Sequence, residues 1–293
     1  MKKQFELQFR ATREQLLREA IAEWGISKRA LTAIKFDGGD ILVNGAEQNV
    51  RYVLAAGDEV TIRFPREQVS DGLVAEDEDL QIVYEDEAIL VINKPAYQST
   101  IPSREHPTGS VANVLCGYFE RQQIASTAHI VTRLDRDTSG LMIIAKHRHI
   151  HHLMSEQQQR GEVHREYEAI VHGHAETQSI MAPIGRKDTS IIEREVRADG
   201  QFAHTDVRVV AHRDGYSHIR LKLHTGRTHQ IRVHMSYVGH PLVGDDLYGG
   251  STEQLARQAL HCVFVEFTHP ISGECMRFTS ELPMDMHQLI VQD

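Results

Sequence analysis

Two stretches of the chain hold residues whose types and spacing could do chemistry. The first is His129-Ile130-Val131-Thr132-Arg133-Leu134-Asp135-Arg136-Asp137-Thr138-Ser139-Gly140-Leu141. Carboxylates alternate with arginines on a turn that ends in Gly140 and runs into an apolar strand. Such a turn lifts Asp135 out of the core and toward a cleft. A cation within about 4–6 Å lowers a carboxylate's pKa by roughly 1–3 units and keeps it ionised and nucleophilic. Asp135 and Asp137 serve equally well as turn formers, solvated or paired at the surface, so residue types alone leave both readings open. The second stretch is Leu221-Lys222-Leu223-His224-Thr225-Gly226-Arg227-Thr228-His229-Gln230-Ile231-Arg232-Val233-His234. Arg227 and Arg232 stand five apart after a Thr-Gly turn, with His229 between them. A guanidinium fixed there can hold a carboxylate or a phosphate, and a structural salt bridge would use the same residue.

The elements that must position these groups follow from periodicity. Thr12 with Gln15 has the form of a capping box before Leu16, Leu17, Ala20, Ile21 and Trp24 at helical spacing, with Gly25 as the stop. Ser27 caps a second helix through Ala30, Leu31 and Ile34. Ile41–Val43 reads as a strand entering an Asn44-Gly45 turn, and Val50–Leu54 and Val60–Phe64 as two more. Beyond an acidic stretch, Leu80–Tyr84 and Ala88–Asn93 form a hairpin. Leu141–Ala145 is a strand, His149–Gln159 a helix, and Tyr167, Ala169 and Val171 alternate as a strand. Val207–His212 and His218–Leu223 pair across residues 213–216. Strands outnumber helices and do not alternate with them. The expected fold is α+β, with a mainly antiparallel mixed sheet and a central cleft.

With 293 residues, the chain is expected to divide into 1–66, a small α/β module; 67–79, an acidic, solvated linker; and 80–293, the larger domain that holds both stretches. The net charge is −9, yet residues 67–91 carry nine acids and no base. The overall sign therefore hides a basic segment, 208–234, with six Lys/Arg against Asp214 and five His besides. That segment can meet phosphates because binding depends on the local field. No apolar run approaches a membrane span, and the start lacks a signal-peptide core, so a membrane is not an expected partner. Three cysteines without a CxxC suggest a reducing cytoplasm. His147, His149, His151 and His152 are dense, but no HExxH occurs and no Cys pair stands beside them. No P-loop, GxGxxG or GxSxG is present either, so neither a metal nor another cofactor is expected.

Taken together, Arg133 to Leu141 resembles the signature of the RluA/RluD-type pseudouridine synthases. Thr225 to His234, followed by Gly239-His240-Pro241-Leu242-Val243-Gly244-Asp245, is similar to that family's later motif. Asn93-Lys94-Pro95, Arg165-Glu166-Tyr167-Glu168-Ala169, Leu260-His261 and His269-Pro270 fall in the family's order. The resemblance spans residues 80–285. Residues 12–66 resemble, more loosely, the alpha-L (S-four-type) RNA-binding domain. Thr132, Tyr97, Arg165 and Thr279-Ser280-Glu281 depart from the residues common in the family.

The resemblance implies isomerisation of uridine to pseudouridine in RNA without cofactor or metal. The implied target is ribosomal RNA of the large subunit, with tRNA second; a non-catalytic RNA-binding or ribosome-assembly factor is the alternative from another class. It implies that Asp135 is the catalytic aspartate and that Tyr167 stacks on the target base. Arg227 is the cation that pairs with the aspartate, and Arg133 fills the space of the flipped nucleotide. Leu223 walls the uracil pocket, and Arg232 contacts RNA. A monomer is expected.

Overall fold

The computed structural model describes residues 4–70, 72–104 and 106–291; positions 1–3 of the first expected segment, 71 of the second and 105 and 292–293 of the third lie outside them. The amino-terminal module comprises β1 (Glu6–Arg10), β2 (Gln15–Leu16), α1 (Leu17–Glu23), α2 (Lys28–Phe36), β3 (Asp40–Val43), β4 (Ala46–Glu47), β5 (Val53–Leu54) and β6 (Glu59–Arg63). Its sheet has the order β1-β6-β3-β4, and β2 pairs with β5. Leu17, Ala20, Ile21, Ile34, Ile62 and Phe64 close a core of its own. The Asn44-Gly45 turn has both residues at positive φ, 50° and 80°, the twist that a two-residue hairpin needs. Ser27 caps α2 as expected, its hydroxyl accepting from the Ala30 N–H.

The start of α1 differs from the expected capping box. The helix begins at Leu17, and its first N–H groups donate to backbone: Leu17 to Tyr52 O at 2.9 Å and Arg18 to Val50 O at 3.1 Å. Orphan donors satisfied by neighbouring carbonyls need no side-chain cap. The same bonds shorten the expected strand at 50–54 to Val53–Leu54, because its first carbonyls are engaged with the helix.

Most described residues of the acidic stretch 67–79 are exposed, but three of its acids tether it to the larger domain. The Glu67 carboxylate meets His129 Nε2 at 2.5 Å and accepts from the Arg148 N–H at 2.8 Å. Glu76 accepts from the Gly109 N–H, just ahead of a helix (α3, Val111–Arg121) whose positive end favours a carboxylate. Asp77 pairs with Arg121 on the same helix. Glu67, Glu76 and Asp77, without local bases, thus find donors across the chain. The amino-terminal module is seated beside this strap: Phe5 stacks on His147 at 4.6 Å between ring centroids, and Phe64 on His149 at 5.0 Å.

The larger domain continues with β7 (Ile82–Glu85), β8 (Ile89–Lys94), α3, β9 (His129–Ile130), β10 (Ser139–Ala145), α4 (Arg148–Gln159), β11 (His164–His172), β12 (Gln178–Met181), β13 (Ile184–Arg186), β14 (Arg194–Val196), β15 (His204–Arg213), β16 (Tyr216–Leu223), α5 (Gln230–Tyr237), β17 (Leu260–Thr268), β18 (Cys275–Thr279) and α6 (Met284–Val291). Ten strands form one sheet in the order β12-β15-β16-β11-β17-β10-β8-β7, with β9 on β10 and β18 on β17. Among the described residues, only β10 and β17 run parallel. The α+β class with mainly antiparallel pairing is as expected. Every residue of β10 is buried, the pattern of a strand covered on both faces. Gly140 permits the parallel pair: at φ 116°, a Cβ there would lie 2.4 Å from the Cys262 backbone.

Candidate active site

The loop from Leu134 to Thr138 is held carbonyl by carbonyl. Thr100 Oγ1 donates to Leu134 O at 2.7 Å, and the Thr138 N–H closes a turn onto Asp135 O at 3.1 Å. Lys94 Nζ donates to Arg136 O at 2.9 Å, and Arg257 Nη1 donates to Asp137 O at 3.3 Å. Lys94 is 1% exposed and also bonds Pro95 O and Gln98 O, so one ammonium ties two loops together. Burial pushes it down to about 7, against the pull of Asp137 and Asp135. Arg257 is buried too, and is itself fixed by both carboxylate oxygens of Asp285. With its backbone pinned, Asp135 presents a side chain that is 30% exposed.

The cation beside Asp135 is Arg232, not Arg227. Arg232 Nη1 lies 3.4 Å from Asp135 Oδ2. Its other two nitrogens form a fork on Asp245, at 2.7 and 2.8 Å, and the Asp245 side chain is wholly buried. Asp245 therefore fixes the plane of the guanidinium and leaves one edge for Asp135. Arg232, expected to contact RNA, is 7% exposed and engaged internally, though it lines the cleft. Its placement follows from α5, which puts Arg232 on an inward face, whereas Arg227 precedes the helix in an exposed loop. Arg227 Nε donates instead to Phe202 O at 2.9 Å.

His229 and Tyr248 complete the surroundings of this pair. His229 Nε2 is 3.9 Å from Asp135 and its Nδ1 is 2.8 Å from the Tyr248 hydroxyl. Burial lowers the His229 pKa below the ordinary imidazole value, against the pull of Asp135. The lasting positive charge next to Asp135 is thus the guanidinium. Arg232 also lies over the Tyr248 ring, 4.9 Å from its centroid. The sequence reading assigned no role to Asp245, His229 or Tyr248. Asp245 closes a quoted motif, which was the available signal; nothing local marks Tyr248.

Asp135 opens onto a cleft of about 920 Å³ that is also lined by Arg133, Tyr167, Leu223, Arg227 and Arg232. All six expected site residues therefore meet in one cavity, at the upper end of the roughly 300–1,000 Å³ usual for ligand sites. Tyr167 comes from β11, where the register with β17 shifts between Glu166 and Tyr167, and it is 4% exposed. Burial raises its hydroxyl well above the ordinary tyrosine range, so it stays protonated. Leu223 is half-buried at the end of β16. Arg133 is exposed and has no hydrogen bond or ion pair among the described residues. A pinned carboxylate beside a fixed cation, an apolar wall and an aromatic ring suit chemistry on a planar base attached to a polar sugar.

Comparison with known proteins agrees with that geometry. The family model described as RNA pseudouridylate synthase matches residues 88–237. The chain is 52% identical over 276 residues to the uncharacterised RNA pseudouridine synthase YjbO of Bacillus subtilis, covering 94% of this chain and 98% of that one. It is 39% identical over 267 residues to ribosomal large subunit pseudouridine synthase D of Pseudomonas aeruginosa, covering 86% and 83%. Among solved structures, human RNA pseudouridylate synthase domain containing 1 matches with a TM-score of 0.58 and 26% identity, over 71% of this chain and 85% of that one.

Proposed function

The chain belongs to the RNA pseudouridylate synthase family, and on that premise we propose that it isomerises selected uridines of large-subunit ribosomal RNA in the cytoplasm, using Asp135 as its catalytic carboxylate. The observation that carries the role of Asp135 is its placement: it is anchored through its backbone, faces the Arg232 edge at 3.4 Å, and remains open to the cleft.

A uridine within a folded RNA hides its glycosidic bond, so the base must be turned out at a cost of a few kcal/mol. Stacking on an aromatic ring offsets about 1–3 kcal/mol of that, and Tyr167 offers the ring. Arg133, with its guanidinium uncommitted, takes the vacated place in the stack, and Leu223 closes the pocket on its apolar side. Asp135 then acts at the ribose, either attacking it or stabilising the sugar while the base is detached. The bond from base nitrogen N1 to the sugar breaks, the base turns, and a bond from C5 forms. The proton lost from C5 is balanced by one gained at N1, so the step is an isomerisation with no redox change. A protonated Tyr167 can stack and donate; burial opposes its use as a base.

Arg227, exposed at the border between the cleft and a pocket of about 350 Å³ lined also by Arg186 and Arg194, contacts the RNA backbone. The amino-terminal module adds RNA affinity through the exposed Lys28, Arg29 and Lys35 of α2. Ribosomal RNA is preferred over tRNA on the likeness to the large-subunit enzyme. Mapping pseudouridines in ribosomal RNA and tRNA from cells with and without this gene tests the target. Loss of one or more large-subunit sites supports it, and loss confined to tRNA replaces it.

A further inference from the structure

Away from the Asp135–Arg232–Asp245 chain, three side chains of metal-binding type converge at the rim of the cleft. His204 and Asp206 sit two apart on β15 and so share a face of the sheet. His224 follows the end of β16 directly across from them, its N–H donating to His204 O at 3.2 Å. The two imidazole rings stack at 4.1 Å with an interplanar angle of 12°. Stacking in this sense brings both Nε2 atoms to one carboxylate: His204 Nε2 is 3.2 Å from Asp206 Oδ1, and His224 Nε2 is 2.6 Å from Asp206 Oδ2. One donor atom from each residue lies within 4.8 Å of the other two.

We propose that His204, Asp206 and His224 form a binding site for one zinc-class divalent ion at the mouth of the active-site cleft. Two imidazole nitrogens and a carboxylate oxygen are the donors that such ions accept, at about 2.0–2.2 Å each. Donors around a tetrahedral ion at that distance stand about 3.4 Å apart. Here the two Nε2 atoms lie 3.2 and 2.6 Å from the Asp206 carboxylate and all three donors fall within 4.8 Å of one another, so the side chains must reorient about their torsions to close on an ion. The backbone beneath it is braced. Thr225 Oγ1 accepts from the His204 N–H at 2.9 Å, and Gln230 Nε2 donates to His204 O at 3.0 Å. Ser179 Oγ lies 2.8 Å from His204 Nε2 and must give up that contact when the ion binds. Asp206 and His224 are well exposed, at 45% and 37% of their side chains, which gives an ion a way in and leaves its fourth position to solvent. Because the pattern joins two strands, no spacing along the sequence reveals it.

The test uses the full, untagged chain stripped with chelator. Titration with Co2+ should give one saturable equivalent with the visible absorption of a low-coordinate N/O site, displaced by Zn2+. His224→Ala and Asp206→Asn should each weaken binding at least about tenfold. His152→Ala, on the exposed face of α4, should leave it unchanged. Zn2+ should also raise the melting temperature of the wild type but not of either site variant, with the fold of each checked by circular dichroism. The absence of saturable binding, or equal affinity in wild type, His224→Ala and Asp206→Asn, overturns the proposal.

Discussion

At the residue scale, the division between Arg232 and Arg227 makes the sharpest prediction. Truncating Arg232 removes the cation beside Asp135 and leaves the buried Asp245 carboxylate unpaired. Breaking such a pair by removing one partner destabilises by about 3–5 kcal/mol. Arg232→Ala should therefore lower both turnover and the urea midpoint, and Arg232→Lys should recover charge but not the fork on Asp245. Arg227→Ala should leave stability within about 0.5 kcal/mol and raise KM for RNA while sparing turnover at saturation. Unchanged stability in Arg232→Ala would remove Asp245 from the account. Sequence alone brought both arginines to the site, since motif order does so, but it could not say which one faces Asp135. That is decided by three-dimensional placement: one lies in the loop before α5, the other on the inward side of that helix. Tyr97 is a second residue-scale case. It occupies φ 65°, a region that penalises bulky side chains, and is 58% exposed. Tyr97→Gly should raise stability by up to about 1 kcal/mol, read as a higher urea midpoint at constant slope.

At the scale of elements, the site depends on β10 and β17 approaching closely as a parallel pair. Gly140→Ala places a methyl 2.4 Å from backbone atoms of Cys262 and forces an alanine toward φ 116°. The expected loss is about 3 kcal/mol or more, with turnover falling alongside, because β10 begins directly after the Asp135 loop. A stable, active Gly140→Ala variant would show that this pairing does not position the loop. Strands such as β10 and β16 were legible from their apolar runs and alternation. Helix α3 was not anticipated, although its Ser110–Asn113 capping box stands in the sequence. Its buried face, Val111, Leu115 and Phe119, packs into the same core as β10. The basic segment 208–234 was legible as composition only. Arg220 is bonded to Glu166 and Glu168, and Arg232 to Asp245, so fewer of its charges face solvent than the count suggested.

At the scale of the whole molecule, the two domains meet through rings that must stay neutral. His147 and His149 are buried against Phe5 and Phe64, and burial pushes each imidazole down to about 4 from an ordinary 6.5. Between those values the unfolded chain binds more protons than the folded one. Stability is therefore complete above about pH 6.5 and falls as the pH drops toward 4, by roughly a few kcal/mol in total. His149 has no hydrogen-bond partner at either ring nitrogen among the described residues. His149→Phe should keep the packing and reduce the pH dependence of the unfolding midpoint, with His147 supplying what remains; an unaltered slope would place the acid sensitivity elsewhere. This contact was hidden in the sequence, where the same histidines were dense but matched no metal motif and gave no sign of a buried face. The change in charge near residue 66 stands in the sequence, but the strapping of Glu67 and Glu76 onto distant partners does not, since it pairs residues tens of positions apart.

The central claim, that Asp135 is the catalytic carboxylate, is tested most directly by tritium release from C5 of labelled uridine in ribosomal RNA. The wild type should release it, while Asp135→Asn should bind the same RNA with similar affinity and release none. Equal release by the two proteins would contradict the account.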